Sequence, residues 1–140
     1  MYAFLDQPVQ ELESPYGALL EASRTWVHHA STGRCACAAL AWRFEQAGAP
    51  EAARDFVMAM QLLNREGLAK LHFGPPGFGS VRDDEARLLV LFAAGLAGTP
   101  ARVHRLAATL VREDAVRTLA IAVEQVALRL SNGIFLERDR

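Results

Sequence analysis

Residues 72–79, HFGPPGFG, hold the strongest constraint on this chain. Pro75-Pro76 removes two backbone donors, and Gly74, Gly77 and Gly79 add conformational freedom, so no helix or strand ladder runs through this stretch. Soon after it, residues 88–97, LLVLFAAGLA, are apolar around the whole circumference of a helix. In a chain meant for water, that pattern belongs to a helix enclosed by others. On either side of the break the apolar residues recur with helical rather than strand-like spacing. The expected class is all-α: a six-helix, bundle-like single domain over residues 14–132 with a central apolar helix at about 81–97. An N-terminal arm, residues 1–13, and a C-terminal tail, residues 133–140, flank it.

The individual helices follow from caps and stripes. Ser14-Pro15 predicts a helix start, because a Ser oxygen can accept from an unpaired N–H and Pro at the first helical position loses nothing. The stripe Leu19, Ala22, Trp26 and Ala30 predicts the core face of that helix, with His29 at its edge and His28 opposite. A second helix, 34–47, carries Cys37, Leu40, Ala41 and Phe44 on one face and ends at Gly48. A third begins near Pro50, and its stripe Ala53, Phe56, Met60, Leu63, Gly67 and Leu71 keeps the 3.6 period with a weak point at Gly67. Ser80 is the expected cap of the fourth helix, with Asp83 at the capping-box position. Thr99-Pro100 opens a fifth, 100–111, and a sixth, 115–131, is expected to end at Asn132-Gly133.

A chain of 140 residues can bury enough surface for a core without a metal or disulfide. The formal net charge of −1 creates no field that would draw it to nucleic acid or an acidic membrane. The N-terminus lacks the basic and apolar regions of a secretory signal, and the run at 88–94 is about half the length of a bilayer crossing. Cys35 and Cys37 then read as reduced thiols, and the expected location is cytoplasmic.

Four groups of side chains hint at chemistry. Cys35 and Cys37 resemble soft-metal ligands, but two residues apart on a helix they diverge by about 200°, and only a Cys35 lying in the preceding turn could share an ion with Cys37. The glycine-rich turn before the fourth helix could cradle an anion, except that Asp83, Asp84 and Glu85 would repel it; caps are the simpler role. Arg102, Arg105 and Arg112 fall within about 80° of one another, a short stripe that could make anion contacts but has no interleaved aromatics. No nucleophile stands beside an identifiable base, so no catalytic residue, metal or cofactor is assigned.

The strongest hint is apolar. Ile121 and Leu128 lie one heptad apart, opposite the core stripe of the sixth helix and flanked by Arg117 and Glu124. With Phe135, and with Met58 and Leu62 off the core face of the third helix, they outline an association surface. Phe78, a large apolar residue between two glycines, adds an exposed recognition point. The expectation is a non-catalytic interaction or regulatory module, homodimeric and with an unidentified protein partner, bound to neither membrane nor nucleic acid. The alternative is a small-ligand or metal-binding protein whose pocket, between the second and fourth helices, is lined by Cys35, Trp42 and Phe92. A weaker alternative is nucleic-acid binding through the Arg stripe.

From about Cys35 to Leu130 the layout resembles a family of small uncharacterised helical proteins of Gram-negative bacteria. In these an Ala-rich helical half leads through a Gly/Pro-rich break into a helix opening with an acidic pair and Leu-Leu. The residues that carry the likeness are Gly74-Pro75-Pro76-Gly77, Asp84-Glu85 and Leu88-Leu89. The resemblance implies a bacterial, all-helical protein and supplies no activity.

Overall fold

The computed structural model describes the backbone of residues 4–138 and the side chains of residues 4–132. Six helices follow in order: α1 Tyr16–Ser31, α2 Cys37–Gln46, α3 Ala52–Glu66, α4 Asp83–Leu96, α5 Pro100–Ala108 and α6 Glu113–Arg138. The described residues contain no strand, only isolated bridges between Pro8 and Ser80 and between Gly67 and Val111. The all-α bundle with an enclosed apolar helix is what the break and the run at 88–97 predict.

Helix α4 buries Leu88, Leu89, Val90, Leu91, Phe92 and Ala94, so its apolar circumference is matched by cover on nearly every side. It packs against α1, α5 and α6, while α6 in turn lies against α3, α4 and α5. Rings tie the layers together: Phe56 of α3 stands 5.1 Å from Phe44 of α2 and 5.8 Å from Phe92 of α4. Gly95, inside α4, serves packing. A Cβ there would come within 3.2 Å of the Ala127 Cβ and 3.3 Å of Val123 Cγ1, so its absence lets α4 and α6 approach closely.

Several boundaries differ from the sequence expectations, each for a local reason. Pro15, not Ser14, occupies the cap position of α1, and no side chain caps that end. The start of α4 is Arg82, with Glu85 closing the capping box onto the Arg82 N–H in place of the Ser80/Asp83 pair. Helix α3 stops at Glu66 because Gly67 turns extended and the chain joins the end of α5: Leu68 N–H donates to the Leu110 carbonyl and Arg112 N–H to that of Glu66. A Cβ at Gly67 would run into the Leu63 carbonyl, so only glycine makes this exit. Helix α6 runs through Asn132-Gly133 to Arg138, because these residues weaken a helix without forbidding it.

The N-terminal arm lies over the proline break. Asp6 N–H donates to the Val81 carbonyl, Val9 N–H to that of Gly79, and Val81 N–H to that of Gln7. Phe4 meets Tyr16 at 4.9 Å between ring centroids, and Leu5, Val9 and Leu12 are half-buried against the core. The arm therefore satisfies backbone groups in a segment that has no helix to satisfy them.

Candidate functional site

Two places stand out: a buried polar joint at the proline break, and exposed apolar side chains on α6 and α3. The joint is built by Arg24 of α1 and Glu85 of α4, both fully buried. Arg24 Nε donates to Glu85 Oε2 at 2.6 Å and Nη2 to Oε1 at 2.9 Å, the two-pronged geometry in which a guanidinium is strongest. Arg24 Nη1 also pairs with Glu21 of α1 at 3.5 Å, and the other hydrogen bonds of both groups go to the break. Arg24 Nη1 donates to the Phe78 carbonyl and Nη2 to that of Ser80, while Glu85 accepts from the N–H groups of Gly74 and Arg82. Beyond its own turn, in which Phe78 N–H donates to the Pro75 carbonyl, and the bonds of the N-terminal arm, the break is thus held by one cation and one anion.

The electrostatics follow the contacts. Burial pushes the Glu85 carboxyl up, but the hydrogen bonds from Arg24, Arg82 and Gly74 outweigh it and hold the group below its ordinary value of 4.5. The hydrogen bond to Glu85 raises Arg24 against the opposing effect of its own burial. Gly74 leaves the space the pair needs: a Cβ there would sit 3.2 Å from the Phe78 Cβ and 3.3 Å from Arg24 Nη2.

Phe78 is 41% exposed, and two guanidinium groups hold its ring, Arg24 at 5.7 Å and Arg82 at 5.9 Å from the centroid. It is an anchored part of the joint with an open edge. The acidic first turn of α4 is likewise engaged: Asp84 accepts from the His72 N–H at 2.7 Å and pairs with Arg87 at 3.7 Å. From the sequence, Glu85 reads as a helix-end charge that could alternatively accept an Arg from a partner; the Arg it accepts is Arg24 of the same chain, which the sequence does not single out. The signal available was weak, an Arg on α1 close to the predicted stripe.

The second place is the outer side of α6. Ile121 is 53% and Leu128 50% exposed, and Met58 on α3 is 46% exposed. Leu62 is half-buried against the core. The α3/α6 seam is bridged by Arg129 donating to Glu51 at 2.9 Å, on the same flank of α3 as Met58 and Leu62 by helical spacing. The Phe135 side chain lies outside the described residues.

The pocket expected between α2 and α4 is not assembled. Phe92 is wholly buried within the aromatic stack, because α3 inserts Phe56 between the two helices. Trp42, 59% exposed, lines an open groove with His28, His29, Arg43 and Pro76, whereas Cys35 lines another with Trp26, Val57 and Gln61. A larger groove of about 630 Å³ opens elsewhere, between α1 and α3, lined by Trp26, Val27, Met60, Leu63, Lys70 and Phe73 among others. Arg102, Arg105 and Arg112 are all exposed.

Cys35 and Cys37 are the one pair for which helical spacing misleads. Helix α2 begins at Cys37, so Cys35 lies in the turn before it, and the two sulfurs approach to 2.7 Å. Among the described residues no three His, Cys, Asp or Glu side chains cluster as metal ligands, and no helix is long and apolar enough to cross a membrane. Compared with family models, with curated proteins and with solved structures, the chain matches none.

Proposed function

We propose that this protein is a non-catalytic helical association module that pairs with a second copy of itself through the outer face of α6 and the adjoining flank of α3. The observation that carries the reading is the pair Ile121 and Leu128, half exposed, one heptad apart and opposite the buried stripe of Leu119, Val123, Val126 and Leu130. Charge supports a like partner. A net charge of −1 sets up little repulsion between copies.

Magnitudes limit the strength of the pairing. Covering the exposed halves of Ile121, Leu128 and Met58 in both copies yields roughly 5–9 kcal/mol at about 1.5–3 kcal/mol per whole side chain. Association costs about 4–15 kcal/mol before any contact is made. At its most favourable the balance is about 5 kcal/mol, a Kd of roughly 0.2 mM, which describes a weak, concentration-dependent dimer visible only towards millimolar protein. Sedimentation over a range of concentrations tests it: the Ile121→Glu/Leu128→Glu variant sediments as monomer where the parent self-associates. An unchanged mass in the variant removes α6 from the interface.

The groove between α1 and α3 favours a second reading, a small apolar ligand held beside Trp26 and Phe73 with Lys70 at its rim. A thermal-shift screen of apolar carboxylates tests this, since a ligand bound only to the folded state raises Tm.

A further inference from the structure

The association face makes no use of the two cysteines, and their arrangement has its own chemistry. Cys35 sits in the turn that follows α1, Cys37 at the first position of α2, with Ala36 between them as the helix cap. Both side chains are exposed and both thiols are free. Their sulfurs share a hydrogen bond at 2.7 Å. A covalent bond between them requires 2.03–2.05 Å, so closing it asks for an approach of only about 0.7 Å, within the reach of two side-chain rotations. The small groove they line, about 170 Å³ with Trp26, Arg34, Val57 and Gln61 on its walls, leaves the pair open to a small molecule.

We propose that Cys35 and Cys37 form a thiol–disulfide exchange site, oxidised to an intramolecular disulfide by a low-molecular-weight disulfide and returned to two thiols by a reducing dithiol. Cys35 is the attacking residue. The hydrogen bond shared with Cys37, helped by the Cys37 backbone N–H, lowers the Cys35 thiol below its ordinary value of 9.0, while the same hydrogen bond raises Cys37. Arg34 adds a cation to the groove, which favours an anionic disulfide.

The exchange balances in two steps. The Cys35 thiolate, its proton given to solvent, attacks one sulfur of the incoming disulfide; that S–S bond breaks, a mixed disulfide forms on Cys35, and one thiolate leaves with the bonding electrons. Cys37, deprotonated in turn, attacks the Cys35 sulfur and expels the second thiolate. Two protein thiols become one disulfide, and the small disulfide becomes two thiols. A ring closed across a single intervening residue at an exposed turn is of the labile kind, more readily reduced than a structural bridge.

Equilibrating the full-length protein with mixtures of reduced and oxidised glutathione, quenching with acid, alkylating and weighing the product tests the proposal. In oxidising mixtures the expected product is a single chain lighter by two hydrogens that takes up no alkylating agent and regains both sites after dithiothreitol. The Cys37→Ser variant should instead retain one glutathione on Cys35, formed faster than the adduct on Cys37 in the Cys35→Ser variant. The proposal is overturned if both thiols are alkylated in every mixture. It is equally overturned if the wild-type product keeps glutathione on its sulfurs or is a disulfide-linked pair of chains.

Discussion

The proline joint and the outer face of α6 use side chains in opposite ways. At the joint, two charges are fully buried and every contact is directed: six hydrogen bonds run between or from Arg24 and Glu85, four of them to backbone atoms of residues 74–82. On α6, Ile121 and Leu128 stand half in water with no directed contact among the described residues. The difference teaches where specificity and association separate. The joint fixes how the two helical groups meet, and the α6 face is free to meet something else without changing that geometry.

Substitutions can break this comparison at its stronger side first. Glu85→Ala leaves a buried guanidinium without its carboxylate, and a loss of about 3–5 kcal/mol in urea unfolding is expected. Replacing both partners, Arg24→Met with Glu85→Leu, should cost less than the sum of the single changes, because no charge is stranded. The double variant still falls short of the parent, since the carbonyls of Phe78 and Ser80 and the N–H groups of Gly74 and Arg82 lose their partners, at about 1–3 kcal/mol for each that water does not reach. A double variant as stable as the parent would show that the break needs no polar clamp. Gly74→Ala, which crowds Phe78 and Arg24, should lower stability by about 1–3 kcal/mol.

A pH series sharpens the same side. Because Glu85 titrates lower in the folded chain than in the unfolded one, its ionisation contributes stability above the ordinary carboxylate range, and that contribution is lost as pH falls from about 4.5 through its depressed value. In Glu85→Gln the urea midpoint should be lower at neutral pH and should fall less steeply between pH 5 and pH 2. An unchanged acid limb would assign the pH dependence to other carboxylates. The smallest effect belongs to the other side: Ile121→Glu/Leu128→Glu should shift the stability of the monomer by no more than about 0.5 kcal/mol per site. A larger loss would mean that these side chains support the fold itself.

The sequence shows the helices far better than the joint. The run at 88–97, the glycine at position 98 and Pro100 are local signals, and the helices follow them. Gly98 does adopt the left-handed φ of 70° that suits a helix end. Arg24 and Glu85 are 61 residues apart, and each alone reads as a solvated charge on a helix; only the folded chain brings the break between them. The cysteine pair turns on where α2 begins. A start at residue 34 points the sulfurs apart, and a start at Cys37 brings them together. The outer face of α6 was legible, because helical spacing alone sets its residues opposite the stripe.

The strap formed by residues 6–9 has a consequence for how the molecule is made. Val9 bonds to Gly79, so during synthesis it must wait for about 70 further residues before its partner exists. At about 5–20 residues per second that delay is of the order of several seconds. Through that interval Leu5 and Val9 lack the segment they lie against, and the strap can close only once residues 79–81 have been made.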